Sequence, residues 1–378
     1  MSVLAINVSS IISSLCYSIL RLEPYSACTY NCMYCYGKWY RGDITRIKPQ
    51  YEVVKAFEKV AKVISKKNLK IIPFRLSTLV EPFQKIEKNY KISLMLLKVA
   101  YKYNIPIIIS TKSTLFTQSP WLEVISKLGE KGLALLQMTI VSLDERLNRI
   151  LEPNAPLSEA RIQALEKLSD IMPIVIRFQP IIPGLSEYYV KDLFKLARSL
   201  AVKHVIMEFL RCLRQDLNTY KSIAINQEPY EQAWTSYSPL KDNVELVTLP
   251  RAYKETVLRQ IVREADSIGV KVTLCKEGLF NYDRYKECCG ITYLRNAALR
   301  PTLREVWKSY INVRGLVDIH RVLETCMKSG EYITSLNREF REYPRLIRKP
   351  IRHHEKTLVK ISLSELAYTI CPVLSANA

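Results

Sequence analysis

The chain has 378 residues, of which 48% are hydrophobic and 24% charged, so it can form a well-packed core and has room for one large α/β domain with an added module. Fifty-six Lys and Arg against 36 Asp and Glu give a formal net charge of +20. This excess favours polyanionic partners, nucleic acid first and an anionic membrane surface second, while a basic surface that contacts only solvent is the alternative. The N-terminal run MSVLAINVSSIISSLCYSIL lacks a preceding basic residue and is rich in Ser, which argues against a signal peptide or a membrane span.

The leading run is expected to form a buried strand or helix, and short apolar runs then alternate with amphipathic stretches up to about residue 210. The apolar runs are rich in β-branched residues and are predicted strands: YSILRLE (17–23), IIPFRLS (71–77), IPIIIST (105–111), LLQMTIVS (135–142), PIVIRFQP (173–180) and HVIMEFL (204–210). The stretches between them carry apolar residues at three- and four-residue spacing, which predicts helices.

Continuously apolar strands that alternate with helices are typical of a parallel sheet covered by helices. Six such units predict an α/β fold with a partial (β/α)6 TIM-type barrel, and functional groups are expected at the carboxyl ends of its strands. We expect residues 1–215 to form the barrel core with its leading strand. Residues 216–275 are expected to be a connector with additional α/β elements, including a helix near 251–267 and a strand at 270–275. Residues 276–378 are predicted to be a basic, mainly helical C-terminal region.

Three cysteines, Cys28, Cys32 and Cys35, lie within CTYNCMYC, directly after the first predicted strand. Structural zinc sites usually take four protein ligands, and none of the chain's four histidines is near this triplet in sequence. Ferredoxin clusters also take four cysteines. The spacing therefore favours a four-iron, four-sulfur (4Fe-4S) cluster with three protein-bound irons and one open iron, with a zinc knuckle as the alternative. Ten cysteines without a secretory signal also indicate a reducing compartment, and we expect a cytoplasmic protein.

The form Cys-x3-Cys-x-aromatic-Cys, with Tyr34 at the aromatic position, resembles the signature of the radical S-adenosylmethionine (SAM) enzymes. The resemblance implies that the open iron chelates the amino and carboxylate groups of SAM and that Tyr34 lies against the adenine. It further implies that the reduced cluster donates one electron to break the sulfur–C5′ bond, and that the 5′-deoxyadenosyl radical abstracts hydrogen from a substrate. An electron donor such as ferredoxin or flavodoxin would be a partner.

Five blocks in order resemble successive motifs of the spore photoproduct lyase-like group, often labelled DNA repair photolyases: LEPYSACTYNCMYCYGKW, LSTLVEPFQKIEKNYKIS, IISTKSTL, SLDERLNRILEPNAP and RFQPIIPGLS. The resemblance implies SAM contacts at the strand ends from Ser77, Thr78, Glu81, Ser110, Lys112 and Ser142. A ligand with a carboxylate and a partly positive end needs a cation, hydroxyl donors and an acceptor at one place, which these residue types supply. Strand-end hydroxyls, a helix N-terminal charge and a solvated lysine are the alternatives.

The chain departs from spore photoproduct lyase at the second predicted strand. That family places a cysteine at the end of this strand, where it returns a hydrogen atom to the repaired thymine, but PFRLSTL contains none. The tyrosine of the same radical relay is matched by Tyr36, which is the candidate catalytic residue. We therefore expect a relative that acts on another substrate.

A second group of cysteines follows the barrel: Cys212, Cys275, Cys288 and Cys289. They predict either an auxiliary iron–sulfur cluster or zinc site, or small buried apolar side chains. The adjacent pair argues against ligation of one metal, because two neighbouring cysteines rarely bind it without strain.

The segment NREFREYPRLIRKPIRHHEKTLVK (337–360) is strongly basic, and Phe340 and Tyr343 are interleaved among its charges. Basic side chains neutralise phosphates and aromatic rings stack on exposed bases, so this segment predicts a nucleic-acid contact, with a solvated helical tail as the alternative. The leading hypothesis is a radical SAM enzyme that repairs DNA or modifies nucleotides, with no membrane partner. The alternatives are radical SAM modification of a protein or peptide side chain, and a nucleic-acid-binding protein whose cluster is structural.

Overall fold

The computed structural model describes residues 3–239, 245–313 and 317–362, and its strands form two sheets. The strands are β1 (Arg21–Leu22), β2 (Phe74–Leu76), β3 (Ile107–Thr111), β4 (Ala134–Thr139), β5 (Ile174–Ile181), β6 (His204–Phe209), β7 (Arg211–Leu213), β8 (Thr235–Pro239), β9 (Glu245–Thr248) and β10 (Val272–Leu274). The α-helices are α1 (Ser10–Leu15), α2 (Tyr51–Lys66), α3 (Glu87–Tyr90), α4 (Ile92–Tyr103), α5 (Trp121–Glu130), α6 (Glu145–Leu151), α7 (Ser158–Glu166), α8 (Val190–Ser199), α9 (Leu217–Ile223), α10 (Arg251–Ile268), α11 (Leu303–Val313), α12 (Ile319–Lys328) and α13 (Arg345–Ser362).

The main sheet is parallel and has the order β1-β2-β3-β4-β5-β6-β10 in the described part of the chain. Its two ends do not pair with each other there, so the barrel is open, and helices cover its outer side. The predicted partial barrel is confirmed, and each of the six predicted strands is present. The strand expected at 270–275 pairs with β6 and extends the same sheet.

The strands are continuously apolar because both faces of the sheet are buried. One set of alternating residues packs under the outer helices; the apolar face of α2, formed by Val53, Phe57 and Val60, belongs to this core. The other set points into the barrel, where Ile108 and Leu135 contact residues of the C-terminal region, among them those near Ile291. The C-terminal region therefore closes the amino-terminal end of the barrel interior, and the carboxyl end is left for the site.

The C-terminal region is mainly helical, as predicted, and it packs against the leading segment. α1 contacts α13, and the His354 ring on α13 is hydrogen bonded to the Ser13 hydroxyl at 2.9 Å. The leading run, expected to be a buried strand or helix, thus forms a helix at Ser10–Leu15. No helix within residues 3–239, 245–313 and 317–362 is long and apolar enough to cross a membrane.

A small antiparallel sheet of order β7-β9-β8 follows β6 directly. Strands β8 and β9 come from residues 216–275, the segment expected to be a connector with additional α/β elements. Arg211, Tyr237 and Leu246 of this sheet reach the mouth of the barrel, so the connector contributes to the wall of the candidate site. The predicted division at residues 216 and 276 stays a prediction.

Candidate active site

A cavity of about 480 Å³ opens at the carboxyl ends of the strands. It brings together most residues predicted for the site, from the loop after β1 and from the ends of β2 and β3. These residues are Cys28, Cys32, Tyr34, Cys35, Tyr36, Ser77, Thr78, Glu81, Ser110 and Lys112. Ser142 does not line this cavity; its hydroxyl accepts a hydrogen bond from the Asp144 N–H at 2.9 Å, and Thr139 lines the wall near the end of β4 instead.

The loop that carries the three cysteines is held by hydrogen bonds to the side chain of Gln84, which is fully buried. The Gln84 amide donates to the Ala27 carbonyl at 2.9 Å and accepts from the Thr29 N–H at 3.0 Å. The end of the loop passes close to the turn after β2. A side chain at Gly37 would come within 2.7 Å of the Leu79 carbonyl oxygen, so this close approach requires glycine.

The three cysteine thiols are not paired in disulfides among the described residues. Burial raises the pKa of Cys28 and raises that of Cys32 to about 12, so both are neutral thiols until a metal displaces their protons. An Arg41 N–H lies 3.5 Å from the Cys35 sulfur, which places a cation beside the ligand set. In the described ranges no three His, Cys, Asp or Glu are grouped to hold a single metal ion. Three cysteine thiols are the donor type that iron–sulfur clusters take, so the donor set is compatible with such a cluster.

The aromatic residue of the cysteine motif is anchored by a buried ion pair. The Tyr34 hydroxyl donates to the Glu152 carboxylate, and Glu152 also pairs with Arg161; both side chains of this pair are fully buried. Arg161 is held further by the carbonyls of Pro156, at 2.8 Å, and Thr139, at 2.9 Å. Burial, followed by the Glu152 charge, raises the pKa of Tyr34, which keeps its hydroxyl a donor.

Lys112 lies at the end of β3 with its ammonium 5.6 Å from the centroid of the Tyr34 ring. Burial acts to lower the pKa of this ammonium, but the neighbouring Cys32 and Glu152 outweigh burial and raise it. Lys112 is therefore a cation that faces the cysteine loop. Its backbone is fixed by Glu81, whose carboxylate accepts from the Lys112 N–H at 2.8 Å and the Thr111 hydroxyl at 2.5 Å. Burial raises the pKa of Glu81.

The hydroxyls of Ser77 and Thr78 both donate to Glu23, at the end of β1. Glu23 also accepts from the N–H groups of Thr78, at 2.9 Å, and Leu79, at 3.1 Å. This carboxylate fixes the turn after β2, and sequence reasoning missed it. Glu23 is the last residue of the first predicted strand, and this position alone could have indicated that it lies near the site.

Glu152 and Arg161 were also missed. Glu152 lies inside the block SLDERLNRILEPNAP, where only Ser142 was predicted to contact the cofactor, although a carboxylate just before Pro153 in the same block was an equally good candidate. Arg161 lies on α7, and nothing in its local sequence indicated burial.

Tyr36, the candidate catalytic residue, lies at the edge of the cavity and is 43% exposed. Its hydroxyl donates to the Thr78 carbonyl at 2.8 Å, and the Lys276 ammonium lies 5.3 Å from the centroid of its ring. The ring is thus held between the turn after β2 and the residue that follows Cys275. Its role in a radical relay stays a prediction.

The predicted auxiliary metal site stays a prediction, and the structure places one of its four cysteines apart from the other three. Cys275, Cys288 and Cys289 pack together among the apolar residues that fill the barrel interior, whereas Cys212 packs in the core beneath the outer helices. The sulfurs of the adjacent pair are 3.7 Å apart. The four cysteines do not form one ligand set, because the fold separates Cys212 from the others. All four side chains are buried, as the alternative of small buried apolar residues expects.

The basic C-terminal segment also departs in part from expectation. Phe340 and Tyr343 are 1% and 2% exposed, so neither ring can stack on a base; both pack in the core with Ile347 and Ile351. The charges themselves lie on one exposed face of α13, which we call the basic stripe: Arg345, Lys349, Arg352, Lys356 and Lys360.

Residues 22–197 match the family model described as the Radical SAM superfamily. The chain carries a radical SAM domain. This radical SAM domain spans β1 to most of α8, and all three motif cysteines, Tyr34 and Lys112 fall within it. The predicted resemblance and the prediction of a radical SAM enzyme are therefore confirmed.

Solved structures similar to this chain include those of spore photoproduct lyase. One mutant of that enzyme is 14% identical with a TM-score of 0.52, and another, with bound AdoMet and dinucleoside spore photoproduct, is 14% identical with a TM-score of 0.51. The enzyme complexed with dinucleoside spore photoproduct is 12% identical with a TM-score of 0.50. Each alignment covers 68% of this chain and 76% of the other. At these identities the similarity shows a shared fold. No curated protein matches the chain by sequence.

Proposed function

We propose that the protein binds a 4Fe-4S cluster through Cys28, Cys32 and Cys35, binds SAM beside it, and abstracts hydrogen from a nucleic-acid substrate in DNA repair or nucleotide modification. The observation that carries the cofactor part is that the three thiols, the Tyr34 ring and the Lys112 ammonium share one cavity. A structural cluster would need neither a buried cation nor an anchored ring beside it. This argues against a nucleic-acid-binding protein with a merely structural cluster.

The chain's own residues supply binding and orientation. Lys112 is the cation for the SAM carboxylate, and Glu81 fixes the backbone that presents it. Tyr34, held by Glu152, offers its ring to the adenine. When bound, the cluster supplies the electron for reductive cleavage of SAM, so an electron donor such as ferredoxin or flavodoxin is the implied partner.

A nucleic-acid substrate is supported by charge. The net charge of +20 is accompanied by the basic stripe, whose side chains lie on one face of α13 and can follow a phosphate backbone. With Phe340 and Tyr343 buried, we expect this contact to be electrostatic, without base stacking from this segment.

The test is anaerobic incubation of the reconstituted protein with SAM, dithionite and either DNA, RNA or an acidic protein. We expect 5′-deoxyadenosine to form, to increase with nucleic acid, and to be accompanied by a mass change in that substrate. The variant with Cys28, Cys32 and Cys35 replaced by Ala is the control and should form none. Stimulation by the acidic protein alone would favour modification of a protein side chain and contradict a nucleic-acid substrate.

A further inference from the structure

Two arginines lie on the inner face of the barrel, at the wall of the same cavity. Arg75 is on β2 and Arg177 on β5, and both are half-buried cavity residues. An Arg177 N–H donates to the side-chain amide oxygen of Gln137 at 3.0 Å, and the side-chain NH2 of Gln137 donates to the backbone carbonyl of Cys289 at 2.7 Å. An Arg75 N–H lies 3.3 Å from the Cys289 sulfur. Gln137 and Cys289 therefore link the two guanidinium groups in one hydrogen-bond network, which uses only a few of the guanidinium N–H donors.

Neither of these two arginines is paired with a carboxylate in the described part of the chain. Within the described ranges neither Arg75 nor Arg177 forms an ion pair, although Arg211 and Lys276 in the same cavity both pair with Glu208. Burial and then the neighbouring charge of Arg75 lower the pKa of Arg177, whereas the thiols of Cys289 and Cys16 outweigh burial and raise the pKa of Arg75. Such an arrangement is costly for the protein alone and becomes favourable when an anion binds between the two groups.

A third residue points to a ligand at the same place. Gln179 follows Arg177 by two residues on β5, at an irregularity in the pairing of β5 with β6, and both residues line the cavity. It is 8% exposed and lines the cavity, yet neither its amide nitrogen nor its amide oxygen has a hydrogen-bond partner in the part of the chain that the structure describes. The Arg75 Nε is also without a partner there. Buried polar atoms are rarely left unpaired, so this group of donors is expected to bind a ligand.

We propose that Arg75, Arg177 and Gln179 form a subsite for a phosphodiester group of the substrate. This proposal rests on the proposed nucleic-acid function, and it identifies the residues that bind the phosphodiester backbone of the substrate. Guanidinium groups match the oxygens of phosphate with paired hydrogen bonds. A single arginine suffices for a carboxylate, whereas two guanidiniums and an amide suit the tetrahedral phosphodiester, which presents oxygens in several directions.

The test combines protein variants with a change of one charge in the ligand. The probes are a thymidine dinucleotide with its natural phosphodiester and the same dinucleotide with an uncharged methylphosphonate linkage. Binding is measured by calorimetry on the reconstituted protein with SAM. We expect Arg75→Gln and Arg177→Gln each to weaken the phosphodiester probe by about tenfold to a hundredfold and to leave the methylphosphonate probe unchanged.

Three comparisons keep the result interpretable. Arg177→Lys keeps the positive charge but lacks the paired N–H donors of the guanidinium, so we expect an intermediate loss of affinity for the phosphodiester probe. This variant replaces Arg177→Gln in the test if Arg177→Gln does not fold. Arg146→Gln removes an exposed charge outside the cavity and should bind the dinucleotide like the parent. SAM affinity should be unchanged in Arg75→Gln, Arg177→Gln and Arg177→Lys, which separates this subsite from the cofactor site.

Two results would overturn the proposal. If the parent binds longer nucleic acid through the basic stripe but Arg75→Gln and Arg177→Gln bind the phosphodiester dinucleotide as well as the parent, the subsite is wrong and the nucleic-acid function stands. If the parent binds neither dinucleotide nor longer DNA or RNA at low salt, the proposed nucleic-acid function fails and the subsite fails with it.

Discussion

The Tyr34 hydroxyl donates a hydrogen bond to Glu152, which is 118 residues away in the chain and already paired with the buried Arg161. Because the ring belongs to the cysteine motif, this contact ties the cofactor loop to the loop between α6 and α7. The buried pair therefore orients the side chain that faces Lys112, and its removal should affect both stability and cofactor binding.

We expect Glu152→Gln to destabilise the protein by about 3–5 kcal/mol, because Arg161 would be left as a buried charge without its partner. Tyr34→Phe removes one hydrogen bond to a charged acceptor and should cost less, about 1.5–3 kcal/mol. Urea unfolding of the metal-free proteins measures both changes. Tyr40→Phe, at a tyrosine that is 58% exposed, is the control and should be near neutral. Equal stability of Glu152→Gln and the parent would mean that the pair is solvated.

The cysteine motif predicts about four irons and four sulfides per chain after anaerobic reconstitution. Replacing Cys28, Cys32 and Cys35 by Ala should abolish this content, while Cys212→Ala should leave it unchanged, because Cys212 packs in the main core and not with the motif cysteines. Iron and sulfide analysis measures the outcome. About eight irons per parent chain would show that a second cluster exists after all. Unchanged iron content in the triple variant would place the cluster elsewhere.

Lys112→Ala should weaken SAM binding by about tenfold to a hundredfold without changing the absorption of the cluster, since it removes a charge-assisted hydrogen bond. Lys131→Ala is a matched control: its ammonium also lies over a tyrosine ring, at 4.2 Å from the Tyr101 centroid, but outside the cavity. Equilibrium binding of SAM to both variants decides the matter. Unchanged SAM affinity in Lys112→Ala would show that the Lys112 ammonium does not contact SAM.

The barrel could be predicted from sequence because its strands are buried on both faces, so that runs such as Ile107–Thr111 stand out by hydrophobicity alone. The cysteine loop was equally accessible, since its spacing is local. Contacts between distant residues were not: Glu23 with Ser77, and Glu152 with Tyr34, pair side chains whose proximity depends on the complete fold.

The incorrect interpretation of Phe340 and Tyr343 has a different cause. Charge composition alone does not distinguish exposed rings from buried ones, whereas these rings continue into Ile347 and Ile351 at three- and four-residue spacing, the pattern of a buried helical face. The same periodicity places the basic residues on the opposite side. The periodicity of the sequence could therefore have predicted which residues of α13 are buried and which are exposed and charged.

Acid should destabilise the protein through His354, which is fully buried between α1 and α13. Burial, followed by the charge of Arg300, lowers the pKa of His354 from 6.5 to about 4. Between these values the unfolded chain binds a proton that the folded chain does not, so stability is complete above pH 6.5 and falls as the pH decreases towards 4. The contribution is roughly 3 kcal/mol at about 1.36 kcal/mol per pKa unit.

We expect His354→Gln to flatten the pH dependence of urea unfolding over this window in the metal-free protein, whatever its effect at neutral pH. His353→Gln, at the exposed neighbour on the same helix, should leave the dependence as in the parent. A slope that is the same in His354→Gln and the parent would show that this histidine is protonated in the folded state.

The basic stripe predicts that nucleic-acid affinity is mainly electrostatic, with its logarithm falling linearly with the logarithm of salt concentration. Replacing Arg345, Lys349, Arg352 and Lys356 by Gln should reduce the slope by about three to four, because each neutralised phosphate contributes roughly 0.9. Arg348 is left intact because it is half-buried on α13. Fluorescence anisotropy with single-stranded DNA over a salt series measures the slope.

The matched control removes the same number of charges from another helix. Lys55, Lys59, Lys62 and Lys66 are exposed on α2, and replacing them by Gln lowers the net charge from +20 by the same four, to +16. If the stripe is the contact surface, the α2 variant should keep a slope close to that of the parent. Equal reductions in both variants would mean that only the overall charge attracts the nucleic acid. A salt-independent affinity in the parent would direct attention to an acidic protein partner, with the same four residues of α13 as the first to test.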